Sequence, residues 1–136
     1  MYIFETKIRV RYSETDKMGY AHHSNYASYI EEARTEMMRS IGISYLEMEN
    51  KGVMLPVIEL QTTFLKPAFY DDVITIKTIV KDYPSIRFKL SYEIYNANGD
   101  LMSTAKTTLV FVNAENMKPI RPPVFFLEKL DKFFKV

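Results

Sequence analysis

Cysteine is absent from the 136 residues. Its absence excludes a disulfide frame, a thiolate zinc site and a cysteine nucleophile, and it fits a reducing compartment. Histidine is scarce: the two present are adjacent, His22 and His23. Two neighbouring histidines with no third histidine or cysteine make a poor ligand set, so no metal site is expected. Charge of one sign is not in excess either. Lys and Arg total 18 against 17 Asp and Glu, a formal net charge of +1, which removes a whole-chain electrostatic case for nucleic acid. No run of like charges is long enough to form a tail, and no repeat, low-complexity segment or internal linker is visible. No apolar stretch approaches the roughly 20 residues that cross a bilayer. The start, Met1-Tyr2-Ile3-Phe4-Glu5, lacks the basic-then-apolar pattern of a signal peptide. The expectation is one cytoplasmic domain spanning 1–136, without an integral membrane segment.

What is present is apolar bulk. A hydrophobic fraction of 47% supports one packed core. The 8 Met, 10 Tyr and 9 Phe are large or adaptable side chains that fill a core and also suit the lining of an apolar pocket. Along the chain, residues 2–12 alternate apolar and basic side chains through Lys7-Ile8-Arg9-Val10-Arg11-Tyr12, the period of a half-exposed strand. Ser13 to Gly19 is turn chemistry, and Gly19 can take a positive φ and bring backbone close to a bound group. Ser24 or Asn25 is a suitable N-cap for a helix of about four to five turns, whose apolar face is Tyr26, Tyr29, Ile30, Ala33, Met37 and Ile41. Glu31, Glu32, Arg34, Glu36 and Arg39 fall mostly off that face, with Glu32 and Arg34 read as a solvated pair. Gly42 is a natural stop, and Ser44 caps a short helix from Tyr45 to about Asn50.

Beyond Gly52 the period becomes two. The strands predicted are Val53–Phe64, with Pro56 marking an edge or a bulge, then Val73–Lys81, Ile86–Tyr95 and Leu101–Val112, the last two joined at Asn98-Gly99. Loop Asn113–Pro123 leads into a short terminal helix within Val124–Phe134. The fold class is α+β: one strand, a long and a short helix, then four strands expected as an antiparallel meander. A single long helix covers few strands well, so the leftover apolar surface argues for a homo-oligomer, a homodimer or homotetramer.

Val10-Arg11-Tyr12-Ser13-Glu14-Thr15-Asp16-Lys17-Met18-Gly19, His23-Ser24-Asn25-Tyr26 and Glu32-Ala33-Arg34 together resemble the motif of hotdog-fold acyl-CoA thioesterases. The likeness is to the 4-hydroxybenzoyl-CoA thioesterase-like group, including the short bacterial enzymes associated with the Tol-Pal system. Lys66-Pro67-Ala68 and Tyr70-Asp71-Asp72-Val73 resemble a second signature of that family, and the similarity runs from about residue 5 to about residue 112. The resemblance implies a five-stranded antiparallel sheet wrapped around one long helix, subunits joined edge to edge, and active sites at that junction. It also implies thioester hydrolysis without metal or organic cofactor, with Asp16 as the essential carboxylate. The backbone N–H of His23 would polarise the carbonyl.

Those parts suit the chemistry. Hydrolysis of a thioester places negative charge on the carbonyl oxygen, and fixed N–H donors at a helix start stabilise it. Asp16 acts either as a general base on water or as a nucleophile, and the sequence leaves both open. Alone, Asp16 reads equally as an Asx-turn residue and Gly19 as a plain turn glycine. The candidate catalytic positions are Asp16, His23 and Gly19. The candidate substrate contacts are Tyr26, Thr62, Thr63, Lys66 and Arg87, with Lys89 a weaker guess, while His22 reads as structural. Asp71 and Asp72 are adjacent on extended chain and point apart, so they are turn residues. Acyl-CoA is the expected substrate. An acyl carrier protein thioester is the alternative with the same chemistry, and a non-catalytic acyl-CoA or lipid-binding subunit is the alternative of another class.

Overall fold

The computed structural model describes residues 1–134. In chain order, strand β1 (Tyr2–Arg9) is followed by helices α1 (Tyr26–Ser40) and α2 (Tyr45–Asn50). Strands β2 (Val53–Met54), β3 (Val57–Phe64), β4 (Val73–Val80), β5 (Arg87–Tyr95), β6 (Leu101–Val110) and β7 (Val112–Asn113) come next, and helix α3 (Val124–Asp131) closes the chain. Five strands form one antiparallel sheet in the order β1-β4-β5-β6-β3, and β2 pairs with β7 in a separate ribbon.

This is the expected α+β hotdog arrangement, with one correction to its connectivity. Only β4, β5 and β6 run as a meander. Strand β3 crosses to pair with β6, Thr62 opposite Ala105, while β1 takes the place beside β4, Ile8 opposite Ile74. The single strand predicted over Val53–Phe64 is broken at Leu55-Pro56. Pro56 cannot donate to a ladder, so only its carbonyl is used, accepting from the Val110 N–H. The register of β3 also slips between Val57 and Glu59. Smaller corrections concern element ends: β1 stops at Arg9 because Tyr12–Glu14 turns as a 3-10 helix, and Ile86 stays outside β5.

The core lies between the sheet and α1. From α1 come Tyr26, Tyr29, Ile30, Ala33, Met37 and Met38; from the sheet come Ile74, Ile76, Phe88, Leu90, Tyr92 and Ile94, all buried. Each of the Ile, Leu, Met and Phe side chains among them stabilises by about 1.5–3 kcal/mol through removal from water. Gly42, with a positive φ of 86°, lets the chain leave α1. Ser44 Oγ accepts from the Glu47 N–H at 3.0 Å and starts α2 as expected. Helix α3 adds Phe126 to the core, its ring edge-on to Phe88 and Phe111 at centroid distances of 5.4 and 5.0 Å, while those two rings stack on each other at 6.0 Å.

Arg34 corrects another expectation. It is buried, not paired with Glu32 at the surface. Residues two apart on a helix do not face each other, and Arg34 turns inward to hydroxyl acceptors on α2 and β5. Among the described residues no helix is long and apolar enough to cross a membrane.

Candidate functional site

The site is built from the connection between β1 and α1. Its first part is held by an exchange at the end of β1, where the Val10 N–H donates to Asp72 O and the Asp71 N–H to Val10 O. A tight turn follows at Asp16–Gly19. The Gly19 N–H donates to Asp16 O at 3.0 Å, and the φ of Gly19 is 79°, a conformation that disfavours a side chain. Asp16 Oδ1 accepts from the backbone N–H groups of Met18 and Tyr20, at 2.9 and 3.2 Å. Asp16 is thus an Asx-turn residue. No hydrogen bond among the described residues engages its Oδ2, so one oxygen orients the carboxylate and the other stays available.

The helix start differs from its sequence expectation in the side chain that caps it. Asn25 stands at the N-cap of α1 but makes no capping hydrogen bond with its side chain; His22 caps the 3-10 turn ahead of it, its ring Nδ1 accepting from the Ser24 N–H at 3.2 Å and lying 2.8 Å from Ser24 Oγ. A 3-10 turn over His23–Asn25 then leads into α1. The leading N–H groups are used in turn: His22 by Glu14 O, Ser24 by the His22 ring, Asn25 by His22 O and Tyr26 by His23 O. Among the described residues none takes up the His23 N–H. One donor at the positive end of the helix is left over, and it is the donor flanking the cleft.

Glu14 holds these pieces together. Its carboxylate accepts from the Arg11 N–H at 2.8 Å, from the Tyr29 hydroxyl at 3.0 Å and from the Arg11 guanidinium at 3.2 Å. Its backbone carbonyl accepts from the His22 N–H at 2.7 Å and from Asn25 Nδ2 at 2.8 Å. Burial alone would raise the Glu14 pKa, but the donors from Arg11 and Tyr29 outweigh it and hold the group below its ordinary value. The Tyr29 phenol is pushed up, by burial first and by the Glu14 carboxylate second. From sequence Glu14 stood only as a member of the motif and Asn25 only as a candidate cap, although both carry side chains suited to tying a loop to a helix start.

Asp16, His23, Tyr26 and Lys66 line one cleft of about 290 Å³, together with Met18, Tyr20, Ala21 and the segment Phe64–Pro67. Tyr26 is its buried floor, in edge contact with Phe64 at 4.9 Å, and burial pushes its phenol above the ordinary value. Lys66 is at the rim, with Nζ 3.6 Å from Asp100. Gly19 stands beside the cleft through its bond to Asp16. Thr62 shares the Phe64 face of β3 without lining the cleft. Thr63 lies on the other face, and its carbonyl accepts from Ser103 Oγ at 2.7 Å. Arg87 is not brought near. It pairs with Val110 while Phe64 pairs with Ser103, seven positions along β6, a separation of roughly 20 Å. Arg87 and Lys89 border a different surface with Asp82 and Tyr83. The two histidine rings stack 4.2 Å apart, and no hydrogen bond joins His23 to Asp16. Among the described residues no three His, Asp or Glu side chains converge.

A carboxylate with one free oxygen, a free N–H at a helix start and an apolar wall around both are suited to attack on a carbonyl. Residues 10–130 match the thioesterase-like superfamily. The chain belongs to that superfamily. It is 36% identical over 121 residues to YneP of Bacillus subtilis (strain 168), covering 89% of this chain and 88% of that protein. It is 30% identical over 117 residues to the acyl-CoA thioester hydrolase YbgC of Escherichia coli O157:H7, covering 86% and 87%. The crystal structure of a DHNA-CoA thioesterase from Staphylococcus aureus superposes with a TM-score of 0.91 at 37% identity, over 97% of this chain and 91% of that one.

Proposed function

We propose that this member of the thioesterase-like superfamily hydrolyses acyl-CoA thioesters to the free acid and CoA, in the cytoplasm, using Asp16 and the His23 backbone N–H. The observation that carries the reading is the shared cleft, whose lining brings together Asp16, with Oδ2 unengaged, and His23, with its backbone N–H unengaged, among the described residues. The thioester carbonyl accepts from the His23 N–H, which stabilises the developing oxyanion at the positive end of α1. Asp16 removes a proton from the attacking water, or itself forms the acyl-enzyme anhydride that water then opens. The thiolate of CoA leaves in either route. Gly19 keeps the Asp16 turn tight, and Tyr26 and Phe64 flank the acyl group. Lys66 at the rim suits the phosphates of CoA as a point charge.

The cleft opens at the end of β3, an edge strand that exposes Val57, Ile58, Leu60 and Phe64. An edge with unpaired backbone and apolar side chains calls for a cover. Pairing with β3 of a second copy supplies one, makes a homodimer and walls the open side of the cleft. Relatives named for acyl-CoA and DHNA-CoA substrates support CoA over carrier-protein thioesters.

The test is steady-state hydrolysis of an acyl-CoA panel by wild type and Asp16→Asn. The expected result is a kcat loss of about 10²-fold or more, the scale of general acid–base catalysis, with acyl-CoA still bound. Equal rates in the two proteins would refute the assignment and favour a non-catalytic acyl-CoA-binding subunit.

A further inference from the structure

The long helix buries a positive charge that this reaction does not use. Arg34 is 5% exposed. Its Nε donates to the Tyr45 hydroxyl at 3.0 Å and its Nη1 to the Tyr92 hydroxyl at 3.3 Å. The Tyr92 hydroxyl in turn lies 2.8 Å from Thr107 Oγ1. Among the described residues no carboxylate comes within 4.0 Å of the guanidinium. No acceptor meets Nη2 either. Nor is Nη2 sealed in, since the fully buried side-chain atoms without a partner are Thr6 Oγ1 and Thr78 Oγ1.

A guanidinium stays charged at any pH at which a protein is folded. Removing it from water is costly unless a negative group compensates. The two phenols satisfy two of its five donors but bring no countercharge, because burial holds Tyr92 above its ordinary pKa and therefore neutral. Beside the free edge of the fork is a second cleft, of about 370 Å³, bounded by Glu31, Arg34, Thr35 and Tyr45 and, across from them, Leu55 and Val57. It shares no lining residue with the Asp16 cleft and lies at the opposite end of β3.

We infer that this second cleft binds a small oxyanion, a carboxylate or a phosphate group, between the Arg34 fork and the Tyr45 hydroxyl. Nη2 and the second N–H of Nη1 form a planar pair that fits two oxygens of one anion. Tyr45 accepts from Nε, so its own proton is free to donate in the same direction. Glu31, one turn earlier on α1, is exposed at the rim, where water and salt screen it. It weakens anion binding without cancelling it. The inference does not use the Asp16 chemistry, but Val57 lies on the β3 edge that the proposed dimer covers, so the anion would sit beside that seam; the test needs no turnover.

The experiment is calorimetric titration and thermal unfolding of the whole protein with inorganic phosphate and, separately, acetate, at ionic strength fixed with sodium chloride. At least one anion is expected to bind saturably and raise Tm, and the stronger of the two identifies the group the site takes. Tyr45→Phe, and Arg34→Lys, which keeps the charge but loses the fork, should each bind roughly tenfold more weakly. Glu31→Gln should bind severalfold more tightly, a change that a merely structural Arg34 would not produce. Arg34→Gln should not bind; if it fails to fold, the other three variants decide. The inference is overturned if neither anion binds saturably, or if binding is indifferent to Arg34→Lys, Tyr45→Phe and Glu31→Gln. It is also overturned if the guanidinium proves to be neutralised by a carboxylate of a second copy.

Discussion

Replacing Glu14 by glutamine or alanine separates the loop's architecture from its chemistry. The carboxylate is nearly buried and accepts from the Arg11 N–H, the Tyr29 hydroxyl and the Arg11 guanidinium. The guanidinium contact is largely exposed on the Arg11 side and contributes little. The other two are bonds to a charged acceptor, each about 1.5–3 kcal/mol, and Tyr29 would be left buried without a partner. Glu14→Ala should therefore cost about 3 kcal/mol, and Glu14→Gln, which keeps one acceptor oxygen, about 1–2 kcal/mol. Urea unfolding should report this as a lower midpoint at unchanged slope. Tyr29→Phe combined with Glu14→Ala should fall short of additivity by about 0.5–1 kcal/mol, since both remove the bond from the Tyr29 hydroxyl to Glu14 Oε1. The folded pKa of Glu14 is depressed, so its stabilisation is complete above the ordinary carboxylate value of 4.5 and is lost as pH falls through the folded value. The gap between wild type and Glu14→Gln should hold from neutral pH to about 4.5 and narrow below it. Full additivity with Tyr29→Phe, or a gap that widens in acid, would refute this account.

Phe126→Ala should cost about 3–5 kcal/mol in urea unfolding, because its ring is fully buried and packs edge-on against both Phe88 and Phe111. The Tyr83 phenol is pushed up to about 12, chiefly by its 2.6 Å hydrogen bond to Asp131. Asp131→Asn should return it toward 10, followed by ring carbon shifts in NMR, and the bond's stabilisation should be present below pH 10 and fade as pH rises through 12. Leu60→Lys on the exposed edge of β3 should give a monomer by light scattering and lose hydrolysis with it, since the cleft's open side would no longer be walled; a fully active monomer would contradict that role.

Periodicity made much of the fold legible. The spacing from Tyr26 to Ile41 marks α1, Gly42 marks its stop, and the alternation in β4, β5 and β6 marks the sheet, because each signal is local to a few turns or residues. The pairing of β3 with β6 and of β1 with β4 was not legible. It joins segments about 40 and 70 residues apart, and nothing within a strand states its neighbour. At the helix start the position was legible and the capping side chain was not. Asn25 does stand at the N-cap of α1, but a 3-10 turn ahead of it puts the capping side chain at His22 and leaves the Asn25 amide to hold Glu14.

For the site, the motif by itself singled out Asp16, His23 and the turn at Gly19, because a short loop between a strand and a helix must keep its residues close. Lys66 was already a candidate, but only the tertiary structure added Phe64, Leu65 and Pro67 to the cleft and put Arg87 at the far end of the sheet, since distance across strands follows from register and not from residue type. Only the tertiary structure could bury Arg34 as well. Helical spacing sets it at the border of the apolar stripe, four residues after Ile30 and three before Met37, and the hydroxyls that draw its charge inward come from Tyr45 and Tyr92, which long-range folding delivers to its side. What the sequence determined here is local: which residues turn, cap and alternate. What required the fold is every juxtaposition of distant segments, because burial and charge compensation are properties of the packed chain.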